Sequence, residues 1–147
     1  MNYEDLLALV QLSHFTKFGT TSKKSETIVL LGPYEPSYWT TICNSPEWND
    51  EKPDPIDRWS VRIIEKLAQT TGARACFPFG STSSPFLSWA LASDQAWQSP
   101  VGMVVQAEAG LLVSYRGALV FDYPILSPVS APVPCTNCAR PCLSACP

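Results

Sequence analysis

Four of the six cysteines in this chain, Cys135, Cys138, Cys142 and Cys146, lie together in its last thirteen residues, CTNCARPCLSACP. Disulfides persist in oxidising compartments, but the N-terminal residues MNYEDLLALVQL carry acids where a secretory signal carries bases. In a reducing compartment, cysteines crowded in this way are typical of a metal site. We therefore expect a cytoplasmic protein with a metal-binding segment.

The spacing of these cysteines, C-x2-C-x3-C-x3-C followed by Pro147, favours a [4Fe–4S] cluster. A cubane cluster needs several thiolates that converge on one small core, and a tight loop of cysteines provides them. A structural zinc site usually divides its ligands between two knuckles with a longer spacer. Zinc, or no metal at all, is the alternative.

The spacing departs from the bacterial ferredoxin run C-x2-C-x2-C-x3-C-P, because the middle gap, residues 139–141, has one extra residue. Cys146 is either the fourth ligand of this cluster or a ligand of a second cluster in a longer parent protein. The chain stops one residue after it, so we expect a C-terminal truncation. A cluster so near a terminus is also expected to be lost in air.

The composition of the other residues predicts a folded domain. Apolar residues make up 46% of the 147 residues and charged residues 16%, which is typical of a chain with a core. No apolar run approaches the ~18 residues of a membrane span. The net charge is −3 and the sequence has no basic cluster, so neither a membrane nor a nucleic acid is expected as a partner.

The order of helix and strand signals predicts an α+β fold, an antiparallel or mixed sheet flanked by helices. Helical patterns predict helices at 3–15, 55–71 and 86–93. β-rich patterns predict strands at 27–31, 73–79, 101–107, 111–115 and 118–121, and the last three are expected to form a hairpin or meander. Residues 17–26 are predicted to be a polar loop. The helix at 55–71 has the strongest signals, with Asp54 as N-cap, Pro55 at its first position and Gly72 at its end.

This pattern divides the chain into three parts. Residues 1–122 form the α+β core domain, residues 123–134 a linker with four prolines, and residues 135–147 the cysteine segment. Cys76 is expected in the core, and Cys43 in a polar turn as a free thiol. The single histidine, His14, lies on the apolar stripe of the first helix, where a partly buried structural role is favoured.

A second candidate site precedes the third helix. The residues Gly80, Ser81, Thr82, Ser83 and Ser84 offer small side chains and free N–H groups that suit a phosphate or an amide of a cofactor. Arg116 is a candidate for contact with an anion. A surface loop capped by Ser84, and a solvated charge at Arg116, are the alternatives. The tryptophans are candidates for a flat cofactor pocket, with core packing as the alternative.

The C-terminal half resembles a known family. The stretch SPVGMVVQAEAGLLVSYRGALVFD, followed after a Pro-rich stretch by CTNCARPCLSACP, resembles the organisation of epoxyqueuosine reductases, where a strand pair leads into ferredoxin-like cysteines. Val104 to Leu119 covers that hairpin, with Gly110 at the turn. The stretch DPIDRWSVRIIEKLAQTTGARACFPFG also resembles small bacterial ferredoxin-type proteins.

This resemblance implies a nitroreductase-like α+β domain joined to a ferredoxin module. Epoxyqueuosine reductases, reductive dehalogenases and the cobalamin-trafficking chaperone share that domain and hold a corrinoid on it, so a corrinoid or a flavin is implied here. The chain departs from the reductases in its much shorter length and in having no residue that matches their catalytic acid. It also lacks the Asp-x-His-x-x-Gly pattern of proteins that ligate cobalt through histidine, a pattern that the reductase group does not need.

Two functions of different class follow. The first is an iron–sulfur protein for electron transfer or reductive chemistry, and it is an oxidoreductase if it acts on a substrate. Such a protein would deliver electrons to a corrinoid or flavin, to a redox partner protein or to a small-molecule acceptor. The second is a non-catalytic metal-binding or cofactor-trafficking module with structural zinc or no metal.

Overall fold

The computed structural model describes residues 2–81, 84–125 and 131–145. Its helices are α1 (Tyr3–Leu12), α2 (Tyr38–Cys43), α3 (Pro46–Asn49), α4 (Pro55–Thr71) and α5 (Phe86–Leu91). Its strands are β1 (Phe15–Lys23), β2 (Glu26–Pro33), β3 (Arg74–Cys76), β4 (Ala96–Gln98), β5 (Val104–Gln106) and β6 (Gly117–Phe121). A 3₁₀ helix follows at Pro141–Leu143. The α+β architecture expected from the sequence is confirmed.

The main sheet has four strands in the order β1-β2-β6-β3, and all neighbours run antiparallel. The central strands pair with Ile28 opposite Val120, and β3 joins β6 with Ala75 opposite Leu119. Strands β4 and β5 form a separate antiparallel pair. The last strand in the sequence therefore lies in the middle of the sheet, where its residues are all buried.

One face of the sheet packs against α1, α2 and α4. Side chains alternate between the two faces of a strand, so Val29, Leu31, Leu119 and Phe121 point to this layer. They meet the apolar stripes of the helices, among which Trp59 is 1% exposed. Its ring lies 5.3 Å from that of Phe15, measured between centroids. This layer is the larger core of the molecule.

The opposite face packs against α5 and the β4–β5 pair. The other residues of the central strands, Ile28, Leu30, Ala118 and Val120, point to this side. Phe86 and Ala90 of α5 and Cys76 of β3 complete this second core. The sheet thus lies between two layers, which accounts for the continuous apolar runs of β2 and β6.

The prediction of a polar loop at residues 17–26 is wrong, because most of these residues form β1. The strand is rich in Thr, Ser and Lys and lies at the edge of the sheet, where backbone pairing to β2 stabilises it. Its polar side chains produce no apolar alternation, so the strand signal is absent from the sequence.

The predicted meander at residues 101–121 is also wrong. Residues 111–115 contain no strand, and β6 pairs with β2 and β3 instead of a preceding hairpin partner. Gly110 does close a turn, since its N–H donates to the carbonyl oxygen of Gln106. The hairpin that the resemblance placed at Val104 to Leu119 is therefore not formed.

The helix ends differ from the predictions in detail. Helix α1 ends at Leu12, and His14 lies beyond it with a φ of 63°. Helix α4 starts at Pro55 and ends before Gly72, whose φ of 72° gives the expected left-handed cap. Asp54, however, is itself left-handed and its side chain caps no N–H group. The start of α4 thus depends on Pro55 rather than on a capping carboxylate.

Candidate metal centre

The cysteine segment follows an anchor on the body. The N–H of Ala131 donates to the carbonyl oxygen of Asp94, 3.0 Å away, and so fixes where the segment starts. Turns follow at residues 134–137, and the 3₁₀ helix Pro141–Leu143 carries the third cysteine. None of the residues 131–145 is buried. The segment is therefore held by its own turns rather than by core packing.

The three described cysteines of this segment have free and accessible thiols. Cys138 is exposed, whereas Cys135 and Cys142 are half-buried. The backbone N–H of Arg140 donates to Sγ of Cys138 at 3.4 Å. Hydrogen bonds of this kind are what loops around iron–sulfur clusters provide to sulfur. The thiol donors, one of them hydrogen-bonded by a backbone N–H, therefore fit an iron–sulfur cluster in their chemistry.

In the described part of the chain, the predicted cysteine ligands are not arranged around a common metal position. Within residues 2–81, 84–125 and 131–145, no three His, Cys, Asp or Glu side chains are placed to hold a metal ion. Cys146, the fourth predicted ligand, lies outside the described residues. The assignment of Cys135, Cys138, Cys142 and Cys146 as ligands therefore stays a prediction.

The candidate phosphate loop is only partly described, because Thr82 and Ser83 lie outside the described residues. Gly80 is exposed with a φ of 89°, a conformation that glycine adopts without strain. The N–H of Ser84 is already used, since it donates to the carbonyl oxygen of Phe77 at 3.2 Å. Pro85 is the N-cap residue of α5, so Ser84 does not cap that helix. Among the described residues of this loop, Gly80 and Ser81 are exposed.

Arg116 points toward helix α4 and not into open solvent. It forms an ion pair with Asp57, and its Nε donates to Oγ of Ser60 at 3.4 Å. Its guanidinium carbon also lies 5.3 Å from the centroid of the Phe79 ring. Because Asp57 already neutralises it, Arg116 offers little free charge to a further anion.

Gly80 lines a groove that also includes two residues contacted by Arg116. The groove has a volume of about 570 Å³, runs along α4 and is lined by Asp57, Val61, Lys66, Phe79 and Gly80, among others. Arg116 lies against two of these residues, Asp57 and Phe79. Burial raises the pKa of the Tyr38 hydroxyl near Arg116, whereas the neighbouring Ser60 and Arg116 act to lower that pKa. The groove carries charges of both signs, which gives it no preference for an anion.

The sequence did not predict the hydrogen bond that His14 forms. Nδ1 of His14 and Oγ of Ser37 are 2.9 Å apart, although 23 residues separate them in the chain. His14 lies between two cavities, one beside α2 and one beside α1. No spacing in the sequence links these two residues, because the fold alone brings the end of α1 to the start of α2.

The remaining predicted residues have structural surroundings. Cys76 is 8% exposed, as predicted for a core thiol, and Nη1 of Arg74 donates to its Sγ at 3.1 Å. Cys43 ends α2 as a half-buried free thiol. Trp59 packs in the larger core, whereas Trp39 and Trp48 form an exposed pair with ring centroids 5.1 Å apart.

Comparison with known proteins adds no relative: no family model, no curated protein and no solved structure matches this chain. In the part of the chain that the structure describes, no helix has both the length and the apolar character to cross a membrane.

Proposed function

We propose that this chain binds a [4Fe–4S] cluster through its cysteine segment and transfers single electrons to a redox partner protein or a small-molecule acceptor. The observation that supports the proposal best is that Cys135, Cys138 and Cys142 lie close together in the sequence as free thiols and that none of them is buried. The hydrogen bond from Arg140 N–H to Sγ of Cys138 is a second support, since it presents a donor to a ligand sulfur.

Each part of the chain has a task in this proposal. A bound cluster supplies reversible one-electron chemistry. The thiolates of the segment hold the cluster, and the exposure of Cys138 leaves a short path for electrons to the surface. The body fixes the start of the segment through Ala131 and Asp94. Reduced thiols require a reducing compartment, so the proposal includes a cytoplasmic location.

The proposal does not include a corrinoid or a flavin. Both were implied by the resemblance to epoxyqueuosine reductases, and the groove beside Arg116 offers no feature specific to either. That part stays a prediction of the resemblance.

The test is anaerobic purification of the chain, followed by iron and sulfide analysis and an absorption spectrum. We expect about four irons and four sulfides per chain and a visible band that reduction bleaches, as a cubane cluster requires. Replacing Cys135, Cys138 or Cys142 with Ser is expected to abolish iron and sulfide. Cys43→Ser is the matched control and should keep both, because Cys43 lies outside the segment.

The outcomes separate the two classes of function. Full iron and sulfide in all three segment variants would overturn the proposal. Stoichiometric zinc without sulfide in the anaerobic protein would also overturn it and would favour a non-catalytic metal-binding module.

A further inference from the structure

Ser37 and His14 form a hydrogen-bonded pair where the end of α1 meets the start of α2. Oγ of Ser37 lies 2.9 Å from Nδ1 of His14, and both side chains are half-buried. When the imidazole proton is on Nε2, Nδ1 accepts from the Ser37 hydroxyl. A serine hydroxyl within hydrogen-bond reach of a neutral imidazole is the arrangement in which a base activates a nucleophile.

Ser37 does not use its hydroxyl in the usual way for its position. It is the N-cap residue of α2, where a serine oxygen commonly accepts from an N–H of the first helical turn. The Ser37 side chain caps no N–H group of α2. Its hydroxyl is therefore available to His14, and α2 gains no capping hydrogen bond from it.

The backbone fixes the position of His14 beside Ser37. The φ of His14 is 63°, in the left-handed region that is uncommon for a residue with a Cβ. Its N–H donates to the carbonyl oxygen of Gln11 at 3.0 Å, and its carbonyl oxygen accepts from the N–H of Tyr34 at 3.1 Å. Uncommon backbone conformations that the surrounding structure maintains are concentrated at active sites.

The pair lines a cavity of about 520 Å³, which is within the size range of small-molecule sites. Two hydrogen-bonding and two apolar side chains complete the lining: Gln11, Tyr34, Ala8 and Leu12. Side-chain amides and phenols are donors that can stabilise the oxyanion formed during acyl transfer. One cavity therefore contains a nucleophile, a base, hydrogen-bond donors and an apolar wall.

We propose that Ser37 and His14 are the nucleophile and the base of a site that hydrolyses small carboxylic esters with a short apolar acyl group. Oγ of Ser37 attacks the carbonyl carbon, and its proton passes to Nδ1 of His14. The bond from that carbon to the alcohol oxygen breaks, and the alcohol leaves with this proton. Water then attacks the acyl-serine and gives a proton to Nδ1, and the carboxylic acid leaves as Ser37 regains that proton.

The other residues of the cavity have separate tasks in this reaction. The amide of Gln11 and the hydroxyl of Tyr34 donate to the oxyanion, and the side chains of Ala8 and Leu12 contact the acyl chain. Among the described residues, no carboxylate forms an ion pair with His14. Turnover is therefore expected to be slow, and covalent labelling of the serine is the more sensitive readout.

The test treats the whole chain with diisopropyl fluorophosphate, which reacts with serines that a base activates. We expect an adduct on Ser37, located by peptide mass spectrometry. His14→Asn should slow this labelling by about a hundredfold or more, the usual contribution of a general base. Asn tolerates the left-handed backbone of position 14 and keeps a polar side chain toward Ser37, but it cannot accept the proton.

Ser13→Ala is the matched control. Ser13 is half-buried next to His14, but its hydroxyl donates to the carbonyl oxygen of Leu9 at 2.9 Å and takes no part in the pair. This variant should keep the labelling of Ser37 and the hydrolysis of p-nitrophenyl butyrate. Ser37→Ala should reduce that hydrolysis to the background that the free thiols cause in every variant.

The results separate a reactive site from a structural contact. An adduct on Ser37 that His14→Asn slows, with an unchanged thermal transition, would support the proposal. If His14→Asn does not fold, the position of the adduct in the wild-type chain decides. No adduct on Ser37, or equal labelling rates in wild type and folded His14→Asn, would overturn the proposal and leave the pair as a contact between α1 and α2. Neither result depends on whether the cysteine segment binds a cluster.

Discussion

The body, residues 2–81 and 84–125, buries a four-stranded sheet between two apolar layers, whereas residues 131–145, which contain the described cysteines of the segment, bury no side chain. Two aliphatic residues illustrate the contrast: Ile64 of α4 is fully buried, while Leu143 of the segment is 59% exposed. The two regions also differ in their backbone hydrogen bonds: those of the body form a β-sheet, whereas those of the segment are isolated turn hydrogen bonds.

This difference separates the source of stability from the proposed site of electron transfer. Burial of one large apolar side chain stabilises a fold by roughly 1.5–3 kcal/mol, and the body contains many. The described residues of the segment make no such contribution, and under the proposed function a bound cluster would add to the turns that hold it. The following predictions test this separation, from the largest effect to the smallest.

The largest effect is expected from Trp59→Ala in the body. Trp59 is 1% exposed and packs against Phe15 and Tyr38. Loss of a buried aromatic ring should lower the free energy of unfolding by about 3–5 kcal/mol. Leu143→Ala in the segment should change it by less than about 0.5 kcal/mol. Urea unfolding followed by circular dichroism measures both, and equal losses would contradict the separation of the two regions.

A smaller effect is expected from Tyr115→Phe. Oη of Tyr115 is buried without a hydrogen-bond partner among the described residues, and burial raises its pKa to about 12. Removal of an unpaired buried hydroxyl should raise the free energy of unfolding at neutral pH by about 1 kcal/mol.

The pH dependence of this variant has a defined sign. Burial keeps Tyr115 neutral in the folded state, so the free energy of unfolding is unaffected by its ionisation below the unfolded pKa of 10.0 and falls as the pH rises from there toward the folded pKa of about 12. Tyr115→Phe should therefore lose less stability across this range than the wild type. Tyr123→Phe is the control, since Tyr123 is 43% exposed. Identical alkaline profiles for wild type and Tyr115→Phe would contradict the prediction.

A still smaller effect is expected in acid from Glu47→Gln. The hydrogen bonds from Arg62 hold the pKa of Glu47 below its ordinary value of 4.5 and join α3 to α4. This contribution is complete above pH 4.5 and is lost as the pH falls through the lowered pKa.

The acid profile measures that contribution. Arg62 is half exposed, so the pair should contribute less than about 1 kcal/mol. Between about pH 2 and 6, a range that brackets the usual carboxyl pKa, the free energy of unfolding should fall less steeply with acidification in Glu47→Gln than in wild type. Thermal unfolding at several pH values measures this slope.

The smallest effect is expected from removal of the proposed cluster. If the body alone provides stability, a chelator that strips iron from cluster-loaded protein should leave the cooperative thermal transition of the body in place, with little change in its midpoint. Calorimetry before and after chelation measures this. Loss of the transition on iron removal would show that the segment and the body are one cooperative unit.

Some of the fold was predictable because its signals are local. The apolar stripe, Pro55 and Gly72 specify α4 within a single stretch of sequence, and the structure forms this helix at Pro55–Thr71. The buried run of β2 was predictable for the same reason, since several apolar residues in succession need two covered faces. The grouping of the cysteines is also local, and it carries the proposed function.

Other parts were not predictable, since their partners lie far away in the chain. β1 has no apolar alternation and becomes a strand through its pairing with β2. The pairing of β6 with β2 and β3 is equally invisible in the sequence of residues 117–121. Within the candidate site, Arg116 forms an ion pair with Asp57, which is 59 residues away in the chain. The residues next to Arg116 in the sequence therefore do not reveal that its charge is neutralised.

The sequence by itself determined the thiol spacing, the strongest helix and the division into an apolar body and a segment without core residues. Those features depend on residue type and short-range spacing, which act through local backbone preferences and burial. The tertiary structure decided the strand order, the ion pair of Arg116 and the hydrogen bond between His14 and Ser37. These contacts are formed only when distant segments pack, because packing selects partners by geometry after the local elements exist.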